Sequence, residues 1–206
     1  MPAFLTRNPD KPARTPKAGR SVNAPDAVRK RGFRFYLASG VGVSPLGAEN
    51  AVKVGGRVMW QSKPTLALGV GGYGIIGSTQ SLPGEAQSFR IAGGYGGFQF
   101  EYTSRPDSPI HFAFPLLIAA GEVTYVDSIT GSALPSITED GTQVMMVIEP
   151  GATLEMNAFS FMRIGLDISY RYTTNSEIKH FNGETILGSN EMNGITAGIT
   201  IKVGRF

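Results

Sequence analysis

The sequence predicts an all-β chain: an eight-stranded antiparallel up-and-down transmembrane β-barrel, preceded by a disordered N-terminal segment. Three observations predict it. Apolar and polar residues alternate with a period of two in eight separate runs. The connections between runs are short at one end and lengthen steadily at the other. The polar faces of the runs carry charges of both signs, which could pair with one another if those faces line a closed interior.

The eight runs are 33–43, 51–61, 65–76, 88–102, 110–126, 143–156, 161–172 and 194–206. In the first, Phe33, Phe35 and Tyr36 gather at one end. In the second, Val52, Val54, Val58 and Trp60 share one face, opposite Lys53, Arg57 and Gln61. The third and fourth both contain GGYG, at 71–74 and 93–96. Gly84 is the midpoint between Tyr73 and Tyr95, so a symmetric hairpin makes these tyrosines a cross-strand pair covering glycine-thinned backbone. Further along the fourth run, Phe98, Phe100 and Tyr102 oppose Gln99 and Glu101.

The fifth run, IHFAFPLLIAAGEVTYV, is apolar at both parities over most of its length, and its facing stays open. In the sixth, Val144, Met146, Ile148, Ala152, Leu154 and Met156 oppose Glu149, Thr153 and Glu155. The seventh, FMRIGLDISYRY, sets Met162, Ile164, Leu166, Ile168, Tyr170 and Tyr172 against Arg163, Asp167 and Arg171. The last sets Ile195, Ala197, Ile199, Ile201 and Val203 against Thr196, Thr200 and Lys202.

No run shows a capped 3.6-residue period, so helix is at most a minor element. The longest apolar stretch, FAFPLLIAAG, is about half of the roughly 20 residues a spanning helix requires, and Pro115 interrupts it. Barrel strands need only ~9–11 residues each. The odd connections lengthen from SPLGAEN, 7 residues, to TTNSEIKHFNGETILGSNEMN, 21 residues, while the even ones (SKP, TSRPDSP, NAFS) stay at 3 to 7. In a meander, odd and even connections lie at opposite ends. Short turns at one end and long polar loops at the other is the asymmetry of outer-membrane barrels. The long loops are 77–87, 127–142 and 173–193.

Two orientations of the faces compete. Apolar faces turned inward give a soluble or periplasmic lipocalin-like barrel for an apolar ligand. Apolar faces turned to lipid put Lys53, Arg57, Glu101, Glu149, Glu155, Arg163, Asp167 and Arg171 in a narrow interior, where both signs are available to pair. Aromatic residues near run ends favour the second: Tyr36, Trp60, Tyr102, Tyr170 and Tyr172 read as interfacial anchors.

Stretches such as GGYGGFQFEY, PIHFAFPLLIAAGEVTY, VIEPGATLEM and FMRIGLDISYRYT resemble the small eight-stranded outer-membrane barrels of Gram-negative bacteria, the OmpA/OmpX-like group. The resemblance spans roughly residues 33–206. It implies an outer-membrane location, contact with outer-membrane lipid and folding by the barrel-assembly machinery. Such barrels often end in an aromatic residue, which makes Phe206 either a candidate assembly signal or merely the last strand residue. Its parity is that of Lys202 and Gly204 rather than of the isoleucine stripe, and a bulge at Gly204 would restore the phase.

Residues 1–31 form a separate basic, proline-rich segment before the barrel domain at 32–206. They hold eight Lys/Arg against two Asp and bury too little to order themselves. Either this is a flexible tail or it is a basic arm for an anionic surface. With Phe4 its only aromatic residue, stacking on bases is unavailable, and no specific nucleic-acid partner is expected. No secretory signal is legible.

Chemistry-bearing motifs are sparse. Gly69, Gly71 and Gly74 spell G-x-G-x-x-G, but strand and turn follow where a dinucleotide site needs a helix. The chain has no cysteine and two histidines, His111 and His180, assigned to opposite ends. No cluster has metal-ligand spacing, so neither metal nor cofactor is expected. A lipid-modifying enzyme would need a nucleophile and base together, and the spacing singles out none. The functional expectation is a non-enzymatic outer-membrane barrel with a side-chain-filled polar interior, structural or acting through its long loops on a protein or glycan.

Overall fold

The computed structural model describes residues 34–46, 49–81, 88–127, 142–174, 178–179, 185–187 and 192–206. The segment 1–31, His180 and most of the long loops lie outside the described residues. Eight long strands form the barrel: β1 (Phe35–Leu46), β2 (Glu49–Lys63), β3 (Leu66–Ser81), β4 (Ser88–Ser104), β5 (Ile110–Asp127), β6 (Thr142–Phe159), β7 (Met162–Thr174) and β10 (Gly194–Gly204). Each pairs antiparallel with its neighbour in the chain, and β10 returns to β1 to close the cylinder. Closure leaves no sheet edge. Every predicted run corresponds to one strand.

The strands outlast the predicted runs by a few residues at several ends, because backbone pairing continues where side-chain alternation has stopped. A short pair, β8 (Ile178–Lys179) with β9 (Thr185–Leu187), lies in the 173–193 connection. Its polar surroundings carry no alternation, and the sequence reading did not include it.

The ends sort as expected. Residues 64–65, 105–109 and 160–161 connect strands at one end, and 47–48, 82–87, 128–141 and 175–193 at the other. In the 105–109 turn, Arg105 adopts a positive φ of 50°, and the Ser108 N–H donates to the Arg105 carbonyl at 2.9 Å.

Alternation fixes which side chains point inward, including on the undecided β5. There His111, Ala113, Leu117, Ala119 and Val123 are buried, while Ile110, Phe112, Phe114 and Ile118 face out. Tyr73 pairs directly with Tyr95, their rings 5.7 Å apart. Each lies opposite a glycine on its other neighbouring strand. A Cβ on Gly55 would meet Tyr73 Cδ1 at 2.5 Å, and one on Gly121 would meet Tyr95 Cβ at 2.5 Å. The rings therefore occupy space that glycine leaves, and the interior closes at mid-height.

Candidate functional site

The candidate site is the barrel wall with its two unlike faces. Among the described residues, thirty-three large apolar side chains are exposed, and they come from all eight barrel strands. They include Phe98 at 68%, Leu166 at 60% and Leu37 at 60%. Trp60, Tyr102, Tyr170 and Tyr172 all point outward. Trp60 and Tyr102 lie toward the tight turns with Phe35, Phe112, Phe114, Phe159 and Phe161, whereas Tyr170 and Tyr172 lie toward the loop end. Tyr36 does not join them. It neighbours Phe35 in a strand, so the two must face opposite ways, and Tyr36 is the inward one at 3% exposure.

All eight charged residues assigned to the interior occupy inward positions. Near the tight turns, Glu101 is the hub: it accepts the Tyr36 hydroxyl at 2.8 Å, Arg57 Nη2 at 3.0 Å and the Lys202 ammonium. Lys202 also reaches Glu155. Glu155 lies 3.2 Å from His111 Nε2 and 3.7 Å from Arg163 Nη1. The other ring nitrogen of His111 lies 3.0 Å from the Ser108 carbonyl. Further up, Glu149 accepts Lys53, the Tyr95 hydroxyl at 2.7 Å and the Ser169 hydroxyl at 2.5 Å. The Lys53 ammonium lies 4.4 Å from the Tyr73 ring centroid.

Two of the eight take other partners. Asp167 accepts the Thr153 hydroxyl at 2.6 Å. Arg171, fully buried, donates to two backbone carbonyls, Met192 at 2.7 Å and Pro45 at 2.9 Å. It ties the start of β10 to the end of β1. Removing an ion from water costs several kcal/mol unless its charge and hydrogen-bonding groups are met. The multiple partners of Glu101 and Glu149 meet that condition.

Lys202 is 2% exposed and bridges two glutamates, yet it was left out of the predicted network. Its parity with Thr196 and Thr200, opposite the isoleucine stripe, was the signal that could have placed it. The hydroxyls of Tyr36, Tyr95 and Ser169 were also missed, because period alone gives a facing and not a partner.

The expectation of a polar interior needs correction for the loop-side half. There Leu46, Ala51, Ile75, Ile91, Leu117, Ala119, Val123, Met145, Val147 and Met192 pack into an apolar plug. Three of these, Leu117, Ala119 and Val123, come from β5, whose second apolar parity turns inward once the first faces out. Between plug and ions lies a cavity of about 70 Å³ lined by Lys53, Arg57, Tyr73, Gln99 and Glu149, among others. Arg57 Nε and Gln99 Oε1 lack protein partners. A polar space of that size suits a few buried waters, not an open channel.

Phe206 packs on Tyr36 with centroids 5.4 Å apart, and the Arg163 guanidinium stacks over its ring at 4.0 Å. Pairing of β1 with β10 runs through Gly204 with no register shift, so the phase-restoring bulge is absent. Phe206 keeps the inward parity and lines the recess at the tight-turn mouth.

No family model and no curated protein sequence matches the chain. Among solved structures, Neisserial surface protein A aligns with TM-score 0.52 at 10% identity, covering 84% of this chain and 96% of that one. The fold is that of the small eight-stranded outer-membrane barrels. The N-terminal β-barrel domain of Pseudomonas aeruginosa OprF aligns with TM-score 0.48 at 10% identity over 84% of this chain and 98% of its own. The attachment invasion locus protein Ail of Yersinia pestis aligns with TM-score 0.41 at 9% identity over 84% and 97%.

Proposed function

We propose that this chain is a non-enzymatic barrel of the bacterial outer membrane, with its apolar wall against acyl chains and its long loops available for recognition or adhesion. The apolar sheath carries this reading. Even if each of the thirty-three exposed side chains offered only about 50 Å², the sheath would exceed ~1,500 Å², several times the few-hundred-Å² patch a soluble monomer shows. Lipid is the medium in which such a surface is stable, and a closed barrel is one of the two folds that satisfy every backbone group there.

The same facing argues against a soluble carrier, which would solvate Glu101, Lys202 and Arg171 and keep the isoleucines inside. With an ion-filled half and an apolar plug, bulk transport has no path. His111 has both ring nitrogens engaged inside the wall, away from any lipid substrate, which favours a non-enzymatic role. Membrane insertion in this reading goes through the barrel-assembly machinery. Phe206 serves there chiefly as a lining residue of the mouth that Tyr36 and Arg163 hold.

Electrophoresis of detergent-extracted protein with and without boiling tests the reading. The expected result is a faster band before heating, because the closed barrel resists the detergent. A single position at both temperatures, together with extraction by salt alone, contradicts it.

A further inference from the structure

The tight-turn end of the barrel is basic. At the tight-turn end, the segments 34, 62–65, 104–110, 157–161 and 204–206 hold Arg34, Lys63, Arg105 and Arg205 against one acid, Asp107. The four cations come from separate strand ends. Arg34 leads into β1, Lys63 ends β2, Arg105 follows β4, and Arg205 follows β10. Lys63, Arg105 and Arg205 are exposed and Arg34 is half-buried.

Their position relative to the aromatic belt matters most. Arg34 is next to Phe35, Lys63 lies three residues beyond Trp60, and Arg105 lies three beyond Tyr102. All three of these rings face outward. Outward aromatic rings sit at the level of lipid headgroups. Lys63 and Arg105, exposed and three residues further along, come within reach of the phosphate layer, whereas Arg34 shares the parity of the inward Tyr36 and lines the recess at the mouth with Gln61 and Asp107.

We propose that this basic ring is a docking surface for anionic phospholipid headgroups in the leaflet at the tight-turn end. The proposal rests on the membrane reading above. Charge complementarity selects the occupant: three exposed cations, Lys63, Arg105 and Arg205, against one exposed carboxylate, Asp107, favour a lipid with net negative charge over a zwitterion.

The test reconstitutes the full chain in phosphatidylcholine bilayers with trace spin-labelled phosphatidylglycerol or spin-labelled phosphatidylcholine. It compares the motionally restricted fraction of each. The expected result is an association of phosphatidylglycerol about twofold or more above phosphatidylcholine, reduced by raised salt. In the chain carrying Arg34→Gln, Lys63→Gln, Arg105→Gln and Arg205→Gln, the ratio falls toward one. The pair Lys63→Gln and Arg205→Gln gives an intermediate ratio, and a heat-dependent gel shift verifies that each variant is folded. Equal association of both lipids with the unaltered chain overturns the proposal. So does a selectivity that survives in the fourfold variant, which would assign it to residues 1–31 or to another partner site. If neither lipid is restricted, the membrane reading itself fails, and that outcome is distinguishable from the other two.

Discussion

The interior of the barrel has two halves built on opposite principles. Toward the tight turns it is ionic: Glu101 and Glu155 gather Arg57, Lys202, Arg163, His111 and Tyr36. Toward the loops it is largely apolar, with Leu117, Val123, Met145 and Val147 in a buried cluster and with Arg171, Ser44 and Thr173 among its buried polar residues. The ionic half fixes geometry through directional contacts, and its stability is conditional on every partner being present. The apolar half is indifferent to direction and depends on volume. Tyr95 joins them: its ring packs with the plug while its hydroxyl donates to Glu149.

The largest effect is expected where a hub is removed. Glu101→Gln leaves Arg57 and Lys202 short of a counter-charge in a closed space, which should destabilise the barrel by about 3–5 kcal/mol. Urea unfolding in detergent micelles measures this. Adding Lys202→Met should recover part of the loss, since the second stranded charge is gone. Full additivity of the two substitutions would break the hub description.

A somewhat smaller loss is expected from a void in the apolar half. Leu117→Ala removes a buried side chain that borders the polar cavity and enlarges that void, at about 2–4 kcal/mol. The same unfolding curves should show that this variant, unlike Glu101→Gln, is not helped by removing any cation. A rescue by Lys202→Met here would show that the halves are not independent.

A modest effect should follow Arg171→Lys. The ammonium keeps the charge but cannot reach both the Met192 and Pro45 carbonyls as the guanidinium does. The expected loss is about 1–2 kcal/mol. Hydrogen exchange should rise in the amides of Gly194 to Thr196 and not around Glu101. Uniform acceleration would argue that Arg171 belongs energetically to the ionic cluster instead.

These contrasts also explain what could be read in advance. The outward stripes were legible because lipid or water on one side imposes a strict period, as in Val52, Val54, Val58 and Trp60. The Tyr73–Tyr95 pairing was legible because one hairpin midpoint fixes a register. Tyr36 shows that an aromatic residue at a strand end is not by itself an anchor: its parity with Ala38 turns it inward. The apolar plug was hidden because β5 satisfies both facings, and only closure of the barrel decides between them. Partner choice inside the lumen depends on side chains meeting across the cylinder, and no local spacing encodes that.

In the membrane reading the outer stripe meets hydrocarbon, and the chain supplies its own probe. Trp60 is the only tryptophan and faces outward beside the tight turns. In bilayers made with brominated acyl chains, its emission should be strongly quenched, most by bromines placed near the headgroups, while aqueous iodide has little effect. Emission untouched by brominated lipid and readily quenched by iodide would mean that water, not lipid, bathes this wall.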